Sequence, residues 1–230
     1  MTSEIQPINL GFVNSYLIHT GDGFILVDTG IRSSRGNLEQ ALDKAGCQPG
    51  NLKLIILTHG DIDHSDSAAY LRGKYQSKIA MHRGDASMVE NAAMRPKRKV
   101  TSPMMRVMHA IMRLTGSTAK MAATFERFTP DVSLEEGQSL QAYGLDAVVL
   151  HIPGHTPGSI GILTGSGELI SGDTLENRGK PRPAGIIADE AEFTASLARL
   201  AKLNVTTVYP GHGKPFPMEA FKWQQVRSSN

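Results

Sequence analysis

The sequence predicts an α/β (α+β) protein built as a four-layered αββα sandwich with a helical insertion. Three observations carry that expectation. Short apolar runs of strand length recur in both halves of the chain, amphipathic helices recur between them, and residues 83–128 show little strand signal. With 230 residues and 40% hydrophobic content, the chain is long enough to bury such a core as one domain, 1–230, with 83–128 inserted in it.

Taken in order, Val13 to His19 and Phe24 to Val27 read as strands joined by the turn Thr20-Gly21-Asp22-Gly23. Asp28-Thr29-Gly30 closes the second. A helix follows from about Ser34 to Ala45, with Leu38, Ala41, Leu42 and Ala45 on one face and Gly46 as its stop. The run 52–57 is a strand, Ser65 to Tyr75 a helix and Lys78 to His82 a strand. In the second half, Asp146 to Ile152, Ile160 to Thr164 and Glu168 to Ser171 read as strands. Ala191 to Leu203 is a helix with Phe193, Leu197 and Leu200 inward. Val205 to Tyr209 is a strand, and Met218 to Val226 a closing helix. The two halves share a style but no repeat of fixed period.

The segment 83–128 holds seven of the ten methionines, and its nine basic and three acidic residues give it a local charge of +6. Ser102-Pro103 is a helix start, after which Met104, Met105, Met108, Ile111 and Met112 share one face. This reads as a helical cap. Its apolar face suits a substrate wall, plain packing or a homodimer contact. Arg95 to Lys99 reads as a solvated basic patch that can also attract anions.

Composition narrows the class. A net charge of +2 gives no reason to expect a nucleic-acid partner. Cys47 is the sole cysteine, which excludes an internal disulfide and a cysteine zinc site and fits a reducing compartment. Met1 to Leu10 has no signal-peptide pattern, and no run approaches the ~20 apolar residues of a membrane span. A cytoplasmic protein with a small-molecule substrate is expected.

The chemistry lies in four fragments. His59-Gly60-Asp61-Ile62-Asp63-His64 follows the strand 52–57 and offers four metal-binding side chains in six positions. Gly154-His155-Thr156-Pro157-Gly158, Ser171-Gly172-Asp173-Thr174 and Pro210-Gly211-His212-Gly213 each follow an apolar run and flank one such residue with glycine. Any one of these histidines alone is an ordinary residue; four fragments in agreement are not. His19, His82, His109 and His151 lack such company, and Asp28 suits a turn or a supporting hydrogen bond better than a metal.

These motifs, with Asp28-Thr29-Gly30, resemble the metallo-β-lactamase-fold hydrolases, which include glyoxalase II-like thioesterases and acyl-homoserine lactonases. The resemblance covers residues 10–215 in the right order. It implies a dinuclear metallohydrolase in which His59, Asp61 and His155 hold one metal and Asp63, His64 and His212 the other. Asp173 would bridge them, and a metal-bound hydroxide would attack an ester, thioester, lactone or related acyl group, oriented by Asp63 as the catalytic residue. Two divalent ions are implied, zinc first, with iron or manganese as alternatives. The family's motif is H-x-H-x-D-H, and here Asp61 replaces its second histidine. With Asp61, the two ions, hydroxide and three carboxylates leave a formally neutral centre, so hydroxide is stabilised less than beside a histidine. A carboxylate at this place also resembles flavodiiron proteins, which keeps a non-haem di-iron oxidoreductase as the alternative. A metal-binding protein with little catalysis is a third reading. The loop Asn177 to Pro183 follows Asp173 and is expected near the site, where it suits recognition of an anionic substrate group.

Overall fold

The computed structural model describes residues 4–92, 98–101, 106–107, 110–111 and 114–223. The first sheet begins with β1 (Ile5–Asn9), β2 (Asn14–Thr20) and β3 (Gly23–Val27), paired antiparallel. It continues through β4 (Leu52–Ile56) and β5 (Lys78–Met81), each parallel to its predecessor. The chain next forms β6 (Lys99–Val100), outside both large sheets, and then β7 (Val132–Ser133), which closes the first sheet beside β5. The second sheet starts with β8 (Ala147–His151), β9 (Ile160–Thr164) and β10 (Glu168–Gly172). After the short strands β11 (Leu175–Glu176), β12 (Arg182–Pro183) and β13 (Ile186–Ile187), it is completed by β14 (Thr207–Pro210) and β15 (Phe216–Pro217), in the order β15-β14-β10-β9-β8.

Side-chain alternation makes the layers. On β2, β3 and β4, Ile18, Ile25, Val27, Leu54 and Ile56 face the second sheet, where they meet Val149, Ile160, Ile162 and Ile170. Their neighbours Leu17, Leu26 and Ile55 face outward into a second cluster with Leu38, Leu42, Leu71 and Tyr75 from helices Arg35–Lys44 and Ala68–Tyr75. On the far side, Leu150, Leu169 and Val208 pack with Phe193, Leu197 and Leu200 of helix Glu190–Leu200. Helix, sheet, sheet, helix is the αββα order expected. Strands buried on both faces explain why their sequences read as continuous apolar runs.

Several local expectations are corrected. β1 was not foreseen; Pro7 interrupts its pattern, and it is tolerated there because β1 is an edge strand. The helix expected over Ser65 to Tyr75 is two pieces, Ile62–Ser65 and Ala68–Tyr75. The carbonyl of His64, which a continuous helix would use, instead accepts from the backbone N–H and the hydroxyl of Thr29 at 2.8 and 2.9 Å. The closing helix from Met218 is only a 3₁₀ turn, Met218–Ala220, ended by extended backbone at Phe221, and 224–226 lie outside the described residues. Within 83–128, β6 pairs with β13, a two-residue strand too short to leave a period. Helices Ala86–Asn91 and Ser117–Thr124 also fall in that segment. Of the methionine face, Met104, Met105, Met108 and Met112 lie outside the described residues.

Candidate metal centre

The four fragments all leave strand ends at one edge of the sandwich. The first turn follows β4, the His155 loop joins β8 to β9, Asp173 follows β10, and His212 follows β14, which runs parallel to β10. Several of these turns admit only glycine. A Cβ on Gly211 would lie 2.2 Å from Asp173 Oδ1 and 2.7 Å from His64 Cε1, and one on Gly172, at φ +49°, 2.7 Å from Thr58. Gly154 (φ +125°) sits against the backbone of Phe193, where a Cβ would approach to 2.3 Å. The glycines flanking the motif residues therefore let these loops close on one another.

The seven residues singled out from the sequence meet in one cluster. His155 Nε2 lies 3.1 Å from Asp61 Oδ2 and 3.8 Å from Asp173 Oδ2; His59 Nε2 is 3.5 Å from Asp61 Oδ2. His64 Nε2 is 3.3 Å from Asp173 Oδ1 and 3.8 Å from Asp63 Oδ2, and His212 Nε2 is 3.1 Å from Asp173 Oδ2 and 3.4 Å from Asp63 Oδ2. Ligand-type atoms of His59, His155 and Asp173 lie within 4.8 Å of one another, as do those of Asp63, His64 and His212. Asp173 touches both groups.

Each imidazole is held from behind through Nδ1. His155 Nδ1 meets the carbonyl of Ile186 at 2.7 Å and His212 Nδ1 that of Phe12 at 2.8 Å. His64 Nδ1 lies 2.8 Å from Asp28 Oδ2. His59 Nδ1 is 3.0 Å from Thr58 Oγ1, whose own proton goes to Asp28 Oδ2 at 2.8 Å. A carbonyl, a carboxylate and a hydroxyl already donating elsewhere can only accept, so all four Nδ1 atoms donate and all four Nε2 atoms face the centre. His59 Nε2, His64 Nε2 and Asp173 Oδ1 are buried and have no hydrogen-bond partner among the described residues. Orphaned donor atoms on three sides, with tautomers fixed for ligation, fit a divalent cation.

Without metal, the carboxylates and imidazoles of the cluster hold one another charged. Burial pushes Asp173 up, but His212 and His64 outweigh it and hold its carboxyl well below the usual range. Burial lowers His212, but Asp173 and Asp63 outweigh it and push the imidazole up to about 10.

Two residues that sequence reasoning missed organise the site. Asp85, fully buried, accepts from Gly60 N at 2.9 Å, Thr156 Oγ1 at 2.6 Å and Gly158 N at 2.9 Å. It ties the His59–His64 turn to the His155 loop. Arg98 donates to both oxygens of Asp61, Nη1 to Oδ2 at 2.5 Å and Nη2 to Oδ1 at 2.6 Å. Burial pushes the Asp61 carboxyl up, but Arg98, with His155 and His59, holds it well below the ordinary range. The solvated patch expected over Arg95 to Lys99 is corrected in this respect: the Arg98 side chain is only 11% exposed. Lys99 pairs with Glu190 at 2.7 Å, while Arg95 and Lys97 lie outside the described residues. No local pattern marked either residue, because their partners are distant in sequence. Asp28 supports His64 from behind, and Asn177 reaches the site through its N–H on the carbonyl of His212 at 2.9 Å. Beside it, Arg178 stacks 4.3 Å over the ring of Phe12. His82 and His151 stack on each other, at 4.0 Å, outside the cluster.

Comparison with known proteins decides the family. The family model of the metallo-beta-lactamase superfamily matches residues 8–212. The chain belongs to the metallo-beta-lactamase superfamily. Among its superfamily relatives, it is 25% identical to the probable metallo-hydrolase YflN of Bacillus subtilis, over 98% of this chain and 90% of that protein. It is 29% identical to a hydroxyacylglutathione hydrolase of Anaeromyxobacter dehalogenans, over 90% of this chain and 64% of that one. In structure it is similar to the superfamily protein TTHA1429 from Thermus thermophilus, with TM-score 0.72, 23% identity, and 99% and 77% of the two chains covered. It is also similar to TTHA1623 in a di-iron-bound form, with TM-score 0.63, 26% identity and 96% of each chain covered.

Proposed function

We propose that the chain is a dinuclear metallohydrolase of small acyl substrates: an ester, thioester or lactone. The observation that carries this reading is the set of four imidazoles whose Nδ1 atoms are all bound to acceptors, leaving four Nε2 atoms turned on three carboxylates. His59 and His155, with Asp61 beside them, would hold one divalent ion, Asp63, His64 and His212 the other, and Asp173 lies between. Bound there, the ions would supply Lewis-acid polarisation of the acyl oxygen and a water of lowered pKa. Zinc suits this histidine-rich set, and iron or manganese the extra carboxylate; the di-iron form of TTHA1623 supports iron as an alternative.

The chain's own groups do the rest. Asp63 is the most exposed of the three carboxylates, its side chain 26% accessible, so it can meet the attacking water and take its proton. Asp28 and Thr58 keep His64 and His59 aimed inward. Arg178, stacked on Phe12, shares the Glu176 carboxylate with Arg182, at 3.1 and 2.6 Å, so the three leave one positive charge at the rim, suited to a substrate with an anionic group. We read the chain as one domain in which 83–128 forms a cap that sets acyl preference: Arg98 reaches Asp61, and Lys99–Val100 pairs with the strand whose Ile186 carbonyl holds His155. The single buried, free cysteine suits a cytoplasmic setting. Among the described residues no helix is long and apolar enough to cross a membrane.

The test is a panel of thioester, lactone and p-nitrophenyl ester substrates, with protein as purified, chelator-stripped and metal-reloaded. Turnover that vanishes on stripping and returns on reloading is expected. A second reading, a di-iron oxidoreductase, is favoured by the Asp61 carboxylate between His59 and His155. It would show oxygen uptake by the iron-loaded protein and no hydrolysis. Neither activity would leave a metal-binding protein with little catalysis.

A further inference from the structure

The two halves of the centre differ in charge although they match in shape. In the half built on His59 and His155, the carboxylate peculiar to it, Asp61, has both oxygens on the Arg98 guanidinium, at 2.5 and 2.6 Å. That planar fork takes one lone pair from each oxygen and neutralises the carboxylate. In the half built on His64 and His212, Asp63 meets only imidazoles, and no lysine or arginine pairs with it among the described residues. Asp173 touches both halves and does not distinguish them. A cation entering the first half meets a neutralised carboxylate with a fixed positive charge behind it. A cation entering the second meets a full negative charge.

Resting on the metal reading above, we propose that Arg98 makes the centre load in order: the Asp63–His64–His212 position fills first and tightly, and the His59–His155 position second and weakly. Arg98 acts through Asp61 and is a positioning residue, with no contact to substrate required. Two further features fit this role. The Arg98 side chain is nearly buried, so solvent screens its charge little. It also enters from the segment 83–128, so anything that shifts this segment changes how tightly the second ion is held. The bond geometry explains how an aspartate is accommodated at position 61 between two imidazoles: arginine cancels the negative charge by which aspartate differs from a neutral, metal-binding histidine.

The experiment is a zinc titration of chelator-stripped protein against a fluorescent competing chelator, for wild type and Arg98→Gln, with a metal-free thermal melt as the folding control. Wild type should bind two equivalents in separate steps. Arg98→Gln should tighten the weaker step by about tenfold or more, the scale on which a metal's supporting partners act, and leave the tighter step unchanged. An unchanged or weakened second step overturns the proposal, the latter showing that Arg98 delivers Asp61 as a ligand. A measurement on wild type stands independently of the variant: crystals grown with one equivalent of zinc should show anomalous density at Asp63, His64 and His212, and equal density at both positions overturns the order. Protein that binds no zinc at all overturns the metal reading itself, and the order with it.

Discussion

Replacing Asp85 tests whether the two ligand loops are held together from outside the cluster. Its carboxylate is fully buried and accepts three hydrogen bonds, from Gly60 N, Thr156 Oγ1 and Gly158 N. The fit is close: a Cβ at Gly158 would lie 2.6 Å from Asp85 Cγ, and one at Gly60 3.2 Å from its Cβ. Truncation to alanine leaves the buried Gly60 and Gly158 amides without an acceptor and turns the Thr156 hydroxyl onto Ser159 Oγ, 2.7 Å away. At ~1–3 kcal/mol for each group left unsatisfied, with neighbouring groups less than additive, Asp85→Ala should cost about 4 kcal/mol. That is a large part of the roughly 5–15 kcal/mol that stabilises a typical domain. Asp85→Asn keeps the volume but must point an amide NH₂ at a donor, and about half that loss is expected. The assay is urea unfolding of the metal-free protein, with Asp22→Ala as an exposed control whose side chain is 73% accessible. If Asp85→Ala costs no more than that control, the clamp is not a structural tie and the reasoning fails. Metal affinity should fall along with stability, because the same bonds set the spacing of His59 and His155.

Other perturbations follow from the same geometry. Gly211→Ala places a methyl 2.2 Å from Asp173 Oδ1, so it should abolish metal binding while leaving the circular dichroism spectrum close to wild type. Retained binding would show that the loop yields. Asp28→Asn leaves one acceptor oxygen where two now serve Thr58 N, Thr58 Oγ1 and His64 Nδ1, so an NH₂ must face a donor, and it should weaken metal binding by roughly 10–100-fold in a chelator competition. Glu136 has its carboxyl lowered by hydrogen bonding to Arg199, with burial opposing. A depressed carboxylate contributes stability above its unfolded pKa and loses it as pH falls through the folded one. Glu136→Gln should therefore destabilise more at pH 7 than at pH 3, and by less than about 1 kcal/mol because the pair is half exposed. Urea midpoints at the two pH values check this.

How much of this could be read in the residues depends on range. The paired sheets were legible because β3, β4, β9 and β10 are buried on both faces and write themselves as apolar runs. The seven cluster residues were legible because their four fragments each sit just past such a run and each contains a glycine. Asp85 and Arg98 were not. Asp85 lies 25 residues from Gly60 and 71 from Thr156, and Arg98 lies 37 from Asp61, so no periodicity links them. Arg98 also stands within a basic run, whose ordinary fate is solvent. The break in the helix after Ser65 was hidden for a related reason. It depends on Thr29 capturing the His64 carbonyl, a contact between segments.

The central claim, that His59, Asp61, Asp63, His64, His155, Asp173 and His212 form one dinuclear metal centre, is tested most directly by metal analysis joined to anomalous diffraction of fully loaded crystals, recorded at the zinc and iron edges. The account predicts two ions per chain, one in contact with His59 and His155, the other with Asp63, His64 and His212, and Asp173 touching both. Fewer than two ions under saturating metal, or anomalous peaks away from these side chains, would contradict it.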